Sequence, residues 1–250
     1  VFHIDGAYQH GGHVGTGASL SMPAAAGTVW YTLDGSDPRL PASSGSSNDL
    51  TLVAENAAKK VLVPTAAINA AWQGGAAFDD SQWTATSGSP GGIGYDTNPN
   101  SVEDYTPRIS LNVQTQMYNK NTTCYVRIPF TVAAADAGKF TALTVNARCD
   151  DGFIAYLNGV EAVRYNCPAT PVWNSVATAV TDESTAVDWQ AFQVSSTAIA
   201  AVVAGENVLA IQALNDKKGS SDFLISVTLT AVKGGAVARP AGVAATETGK

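Results

Sequence analysis

Charge is scarce in this chain. Only 14% of its 250 residues are Asp, Glu, Lys or Arg, which is low for a cytosolic enzyme. No run of Lys or Arg occurs, and the formal net charge is −7. Nucleic acid and anionic membrane surfaces are therefore poor partners. No apolar stretch approaches the roughly 18 residues that a membrane-spanning helix needs, so membrane insertion is not expected. The N-terminus carries no signal-peptide pattern; on a secretory reading, that segment has already been removed. Helical patterning is sparse too, with one short turn or helix expected over residues 197–203.

Histidine is nearly absent. His3, His10 and His13 are the whole supply, within the first 13 residues. A Ser-His-Asp hydrolase would have to draw on one of them, and none lies near a plausible Ser or Cys nucleophile in sequence. Their spacing in a Gly-rich segment matches no strong zinc or copper ligand motif. Glutamate is also thin: Glu161 lies just past the hairpin turn and Glu206 in a Gly-Glu-Asn turn, and no segment singles out the facing carboxylate pair of a glycoside hydrolase. The chemistry on offer is thus non-catalytic.

Cysteine is limited to Cys124, Cys149 and Cys167, an odd number. Cys149 and Cys167 flank an expected hairpin, one residue off direct cross-strand register, so a disulfide closing the hairpin base is one reading, which would imply an oxidising compartment. Cys124 is an alternative partner of either one, and three buried free thiols are the remaining option.

What the chain does have is 45% hydrophobic residues, with Ala, Gly, Ser, Thr and Val abundant. Short apolar runs recur between turn clusters: residues 60–63, 109–113, 124–130, 143–147, 208–214 and 223–229. That spacing predicts an all-β sandwich or jelly roll. The clearest unit is residues 150–164. Asn158-Gly159 accepts positive φ at both central positions of a type I′ turn, so residues 153–157 and 160–164 read as an antiparallel hairpin. Residues 1–55 form a Gly/Ser-rich β segment with a linker, residues 56–233 the sandwich, and residues 234–250 a linker or tail by composition.

Asp150 and Asp151 stand at the entrance of the hairpin, where paired carboxylates can share a calcium ion or accept sugar hydroxyls; a plain turn role is the competing reading. Asp222, Asp216, Asn215 and Asn166 are possible complements, and Asp222 is taken with Asp150 and Asp151 as the metal set. Asp79-Asp80-Ser81-Gln82-Trp83 is a second loop of this kind, more simply read as a cap with Trp83 packed inside. Sugars stack their C–H faces on exposed aromatic rings, which brings in Trp72, Tyr95, Tyr105, Tyr118, Tyr165, Trp173 and Trp189. Tyr165 and Trp173 follow the hairpin near the carboxylates. With Arg164, Asn166 and Trp189 they form the candidate ligand set. Asn121-Thr122-Thr123 fits an N-glycosylation sequon, which says nothing in a bacterial protein.

Two stretches carry resemblances. Val29-Trp30-Tyr31-Thr32-Leu33-Asp34-Gly35-Ser36-Asp37-Pro38-Arg39 resembles the signature of the chitobiase/β-hexosaminidase C-terminal module, a small immunoglobulin-like domain, although the rest of that module is not evident. The ordered series Phe78 to Trp83, Gly92 to Tyr95, Tyr125 to Phe130, Asp150 to Gly159, Gly205 to Gln212 and Ser220 to Ile225 resembles the galactose-binding-like β-sandwich modules of large secreted planctomycete and verrucomicrobial proteins, often found beside lamin-tail or CotH-type domains. That resemblance implies a jelly-roll sandwich, secretion or cell-surface location, and a role in binding a polysaccharide or other glycan, with a structural Ca2+ in many members. The alternative is a structural subunit of an extracellular assembly, a surface layer or filament, self-associating by strand or tail exchange.

Overall fold

The structure is a computed structural model and describes residues 2–4, 7–9, 20–21, 49–98 and 103–234. The chain divides into two units, Val1–Ser47 with Ala236–Lys250, and Asn48–Gly235. In the first unit, β1 (Phe2–Ile4) pairs antiparallel with β2 (Ala7–Gln9) and with β3 (Leu20–Ser21). The chitobiase-like motif, His10, His13 and the tail beyond Gly234 lie outside the described residues, as does the side chain of His3.

The second unit is an all-β sandwich. In chain order its strands are β4 (Asp49–Val53), β5 (Lys59–Leu62), β6 (Thr84–Thr86), β7 (Gly92–Asp96), β8 (Ile109–Asn112), β9 (Thr123–Val132), β10 (Phe140–Asp150), β11 (Gly152–Leu157), β12 (Val160–Tyr165), β13 (Gln190–Gln193), β14 (Gly205–Leu214) and β15 (Asp222–Lys233). One sheet runs β13-β10-β15-β7-β8, with β4 beside the far end of β15; the other runs β12-β11-β14-β9-β5-β6. Short helices α1 (Gln114–Met117), α2 (Glu183–Ala186) and α3 (Ser196–Ala200) sit in the connections.

Alternation along the strands builds the core. Leu143, Val145, Ala147 and Cys149 of β10 are buried with Ile225, Val227 and Leu229 of β15, while Thr144, Asn146 and Arg148 fall on the other face. Val126 and Ile128 of β9 and Leu209 and Ile211 of β14 supply the opposing layer of the same cluster. Strand β4 belongs to this sandwich through its pairing with β15, so the second unit begins at Asn48. Residues 49–53, expected within the N-terminal segment, thus pair with the sandwich.

The hairpin forms as its turn residues dictate. Asn158 and Gly159 have φ of 49° and 86°. A Cβ on Gly159 would stand 2.7 Å from the carbonyl oxygen of Gly74, so the loop above requires glycine there. Leu157 pairs with Val160 and Tyr156 with Glu161; a bulge then shifts the register so that Ala155 faces Val163.

The hairpin disulfide is absent: all three cysteines are free. Cys149 belongs to β10 in the first sheet and is paired in register with Ile225, whereas Cys167 lies past the end of β12 in the second. The chain changes sheets between them at Asp150-Asp151, which sequence register could not reveal. The sequon is likewise closed, because Asn121 is buried and its amide donates to the Pro64 carbonyl.

Candidate functional site

Several strand ends meet where the chain crosses between the sheets. Asp150 ends β10, Gly152 opens β11 opposite Leu214 at the end of β14, and Asp222 opens β15 opposite Asp96 at the end of β7. Strand ends are natural places for Asp and Asn, whose side chains bond free backbone groups. Asp151 does this fully. Its two carboxylate oxygens accept the Thr181 N–H at 2.9 Å and the Asp216 N–H at 2.8 Å. Its carbonyl accepts the Thr181 hydroxyl at 2.6 Å and the Asn166 amide at 3.1 Å. Asp96 similarly takes the N–H groups of Asn98 and Tyr105.

The remaining acceptors are different. Asp150 Oδ2, Asn215 Oδ1 and Asp216 Oδ1 are buried with no hydrogen-bond partner. Asp150 is 3% exposed and Asn215 1%. Leaving a buried acceptor unpaired costs on the order of 1–3 kcal/mol, and more for a charged group. Burial first, then the neighbouring Asp151 and Asp222, push the Asp150 carboxyl well above the usual carboxylate range. Burial also raises Asp151, opposed by the Thr181 and Asp216 amides. The Tyr95 hydroxyl, which donates to the Ser220 carbonyl at 3.1 Å, and the unpartnered Tyr105 hydroxyl are both pushed up, by burial and then by Asp222 and Asp150.

Among the described residues, no three His, Cys, Asp or Glu side chains are already drawn together as a metal cluster. The acceptors near these strand ends are of mixed type: carboxylates of Asp150, Asp216 and Asp222 and the amide oxygen of Asn215. All are oxygen donors, the kind that Ca2+ takes in sets of six to eight with water. Asp222 carries hydroxyl contacts from Ser221 at 2.9 Å and Ser220 at 3.5 Å, and Asp216 Oδ2 an ion pair with Lys217 at 2.9 Å. Asp96 and Glu183 are not among the residues singled out from the sequence, and Tyr105 is there only as an aromatic. Their signal was position at strand and helix ends, visible only once the ends are known to meet.

The candidate ligand residues do not share one surface. Tyr165 packs its ring with Phe153 and Phe192, with its hydroxyl 3.3 Å from that of Thr181. Asn166, at φ 45°, bonds the Asp151 carbonyl and supports the carboxylate corner. Arg164 is occupied by Glu161 through contacts of 2.8 and 2.7 Å. Trp173 is half-buried against the aromatic cluster of Trp72, Trp83, Tyr125 and Tyr156. Trp189 is 39% exposed, but Arg148 stacks over its ring at 4.3 Å on the outer side of the first sheet. Trp72, Tyr95 and Tyr105 are buried, whereas Tyr118 is 37% exposed and meets Tyr95 edge-on at 6.1 Å. Asp79 accepts the Ser81 N–H in a local turn, and Asp80 pairs with Arg127 at 2.7 Å.

No family model and no curated protein matches the sequence. Solved structures with a similar fold include a β-glucuronidase from Bacteroides uniformis, at 19% identity and a TM-score of 0.42 over 74% of this chain. A β-glucuronidase of glycoside hydrolase family 2 has 15% identity and a TM-score of 0.44. A third, from an uncultured Clostridium species, has 11% identity and a TM-score of 0.40. A further structure of the Bacteroides uniformis enzyme is of a calcium-binding mutant. The chain spans 18%, 18% and 29% of the first three proteins, and the likeness is one of β architecture alone.

Proposed function

We propose that this chain is a non-catalytic glycan-binding module whose carboxylate corner holds a Ca2+ ion. The observation that carries the cation is the set of buried, unpartnered acceptors at Asp150, Asn215 and Asp216. An ion there would satisfy them, offset the mutual repulsion of the carboxylates and hold the ends of β10, β14 and β15 together. Asp150, Asp216, Asp222 and Asn215 would supply oxygens. Asp151, whose oxygens each accept a backbone N–H, would position the loops around the ion.

The glycan half of the proposal rests on the resemblance to galactose-binding-like modules and on the surface around this corner. Tyr118 offers an exposed ring there, and Asp, Asn and Lys side chains offer hydrogen bonds to hydroxyls. The same resemblance supports an extracellular or cell-surface setting, where calcium sites of 10⁻⁴–10⁻³ M affinity are filled. Assembly by strand exchange finds no specific support: the edge strands β6, β8, β12 and β13 are short, and the tail lies outside the described residues beyond Gly234.

The test is affinity electrophoresis of the purified chain through a panel of polysaccharides, in calcium and in chelator. The expected result is retardation on one polysaccharide class that is lost in chelator and weakened by Tyr118→Ala. Unchanged mobility on every polysaccharide would overturn the glycan reading.

A further inference from the structure

The exposed ring of Tyr118 stands in a setting of unusual charge for this chain. Acids outnumber bases by 21 to 14, yet Lys120, Lys217 and Lys218 lie on the two loops that flank that ring. The first loop leaves α1 through Tyr118, Asn119 and Lys120; the second joins β14 to β15. Asn119 sits at φ 61°, and its N–H donates to the Lys218 carbonyl at 2.7 Å, which clamps one loop to the other. The Asn119 side chain lies over Gly219, where an added Cβ would stand 3.4 Å from its Oδ1. Beneath, the buried Tyr95 meets the Tyr118 ring edge-on at 6.1 Å and donates its hydroxyl to the Ser220 carbonyl at 3.1 Å. Asn119, Lys120 and residues 217–219 are all exposed.

The contacts of these lysines leave positive charge facing outward. Lys217 pairs with Asp216 at 2.9 Å, but its side chain is 67% exposed against 17% for the acid, so the pair shows its cation to solvent. Lys120 donates to the Thr115 carbonyl at 2.6 Å, which fixes the ammonium without neutralising it. Lys218 has no carboxylate partner among the described residues. The neighbouring acids are withdrawn or engaged: Asp150 is buried, and Asp222 takes hydroxyl contacts from Ser220 and Ser221.

We propose that this surface selects an acidic polysaccharide, one bearing carboxylate or sulfate groups, with a sugar ring packed on Tyr118 and the anionic groups met by the ammoniums of Lys120, Lys217 and Lys218. The proposal rests on the glycan reading above and is independent of the cation at the corner. An aromatic face takes the C–H side of a sugar. An ammonium is a compact point charge with rotatable donors, so it meets carboxylate or sulfate oxygens without the fixed fork of a guanidinium. Charge complementarity is what turns a general sugar platform into a selective one. Single-stranded nucleic acid, another polyanion, asks for a cationic groove along its backbone and a succession of stacking rings. This patch offers one ring and three lysines in a chain of net charge −7.

Affinity electrophoresis of the full chain in calcium tests this with matched polymers that differ in charge: hyaluronan against carboxyl-reduced hyaluronan, and dextran sulfate against dextran. The first pair reads a carboxylate and the second a sulfate. Retardation is expected with the acidic member of at least one pair, not with its neutral counterpart, and should weaken as salt is raised. Lys218→Ala and Lys120→Ala should each weaken it about two- to fivefold, the size of one exposed charge contact. Lys139→Ala, at the end of β10 remote from Asp150, should leave it unchanged. Equal retardation by the neutral members, or equal loss on Lys139→Ala, would overturn the selection for acidic groups at this patch and leave glycan binding standing. Retardation by no polysaccharide would overturn both. A poly-dT oligonucleotide bound as tightly as the acidic polysaccharide would mark a surface for any polyanion and overturn the carbohydrate class.

Discussion

Arg127 and Asp150 are both buried ionisable side chains, and the protein treats them in opposite ways. Arg127 lies under the loop that covers the outer face of the second sheet. Its Nε donates to Asp80 at 2.7 Å, an Nη to the Trp72 carbonyl, and the guanidinium sits 5.1 Å from the centre of the Phe78 ring. Around it, Trp72 stacks on Tyr125 at 4.2 Å and meets Tyr156 edge-on. Every demand of that charge is answered within the chain. Asp150 is buried as deeply, but its neighbours are other acids and one of its oxygens has no partner. A satisfied buried charge reads as architecture; an unpartnered buried acceptor is a cost that calls for an explanation.

The largest expected effect tests the satisfied side. Trp72→Ala should remove about 3–5 kcal/mol of stability, because it empties the centre of the aromatic cluster and uncovers Arg127. Chemical denaturation reads this directly, and a loss below about 1 kcal/mol would mean that the cluster is not packed as described.

The unsatisfied side should respond to the ion instead. At a free Ca2+ concentration 100 times its dissociation constant, the protein should gain about 2.7 kcal/mol over the chelated form. Asp150→Asn should abolish most of that gain, and also be no less stable than the parent in chelator at neutral pH, since burial already favours the neutral form at this position. If parent and variant respond equally to calcium, Asp150 is not a ligand.

pH separates the two regions further. The folded-state pKa of Asp150 is raised above its unfolded value, so between the two the native state holds a proton that the unfolded state has released. Stability in chelator should therefore be fully supported below about pH 4 and fall as pH rises toward neutrality. Saturating calcium should flatten that slope, because the ion replaces the proton; a slope unchanged by calcium would break the link between acid and ion.

The smallest effect concerns Lys59, whose ammonium donates to the Glu55 and Gly91 carbonyls at 2.6 and 2.7 Å. Burial lowers its pKa from 10.5 to about 8, partly opposed by Glu55. Between these values the unfolded state binds more protons, so stability should rise with pH across that window. Lys59→Met should remove the rise in a pH series of thermal melts.

Most strands were legible because their cause is local. Alternation in residues 143–147 and 223–229, and the positive-φ tolerance of Asn158-Gly159, act over a few residues, and the structure carries strands and turn there. The cysteines show where locality stops. Cys149 and Cys167 are close to cross-strand spacing, but a change of sheet at Asp150-Asp151 separates them, and nothing within a strand pattern announces it. Most aromatics offered as sugar platforms went the same way. Trp72, one of them, comes from a loop far in sequence from its stacking partner Tyr125, and Arg127 donates to its carbonyl.

The order of the residues determined that the chain makes β-strands, where the tight hairpin turns and which acids cluster near it, since backbone preference and side-chain alternation are short-range. Only the tertiary structure decided that Asp150, Asn215, Asp216 and Asp222 meet at one buried corner while Arg127 finds Asp80. Burial and the meeting of charges depend on which distant strand ends the two sheets bring together, and no local pattern encodes that.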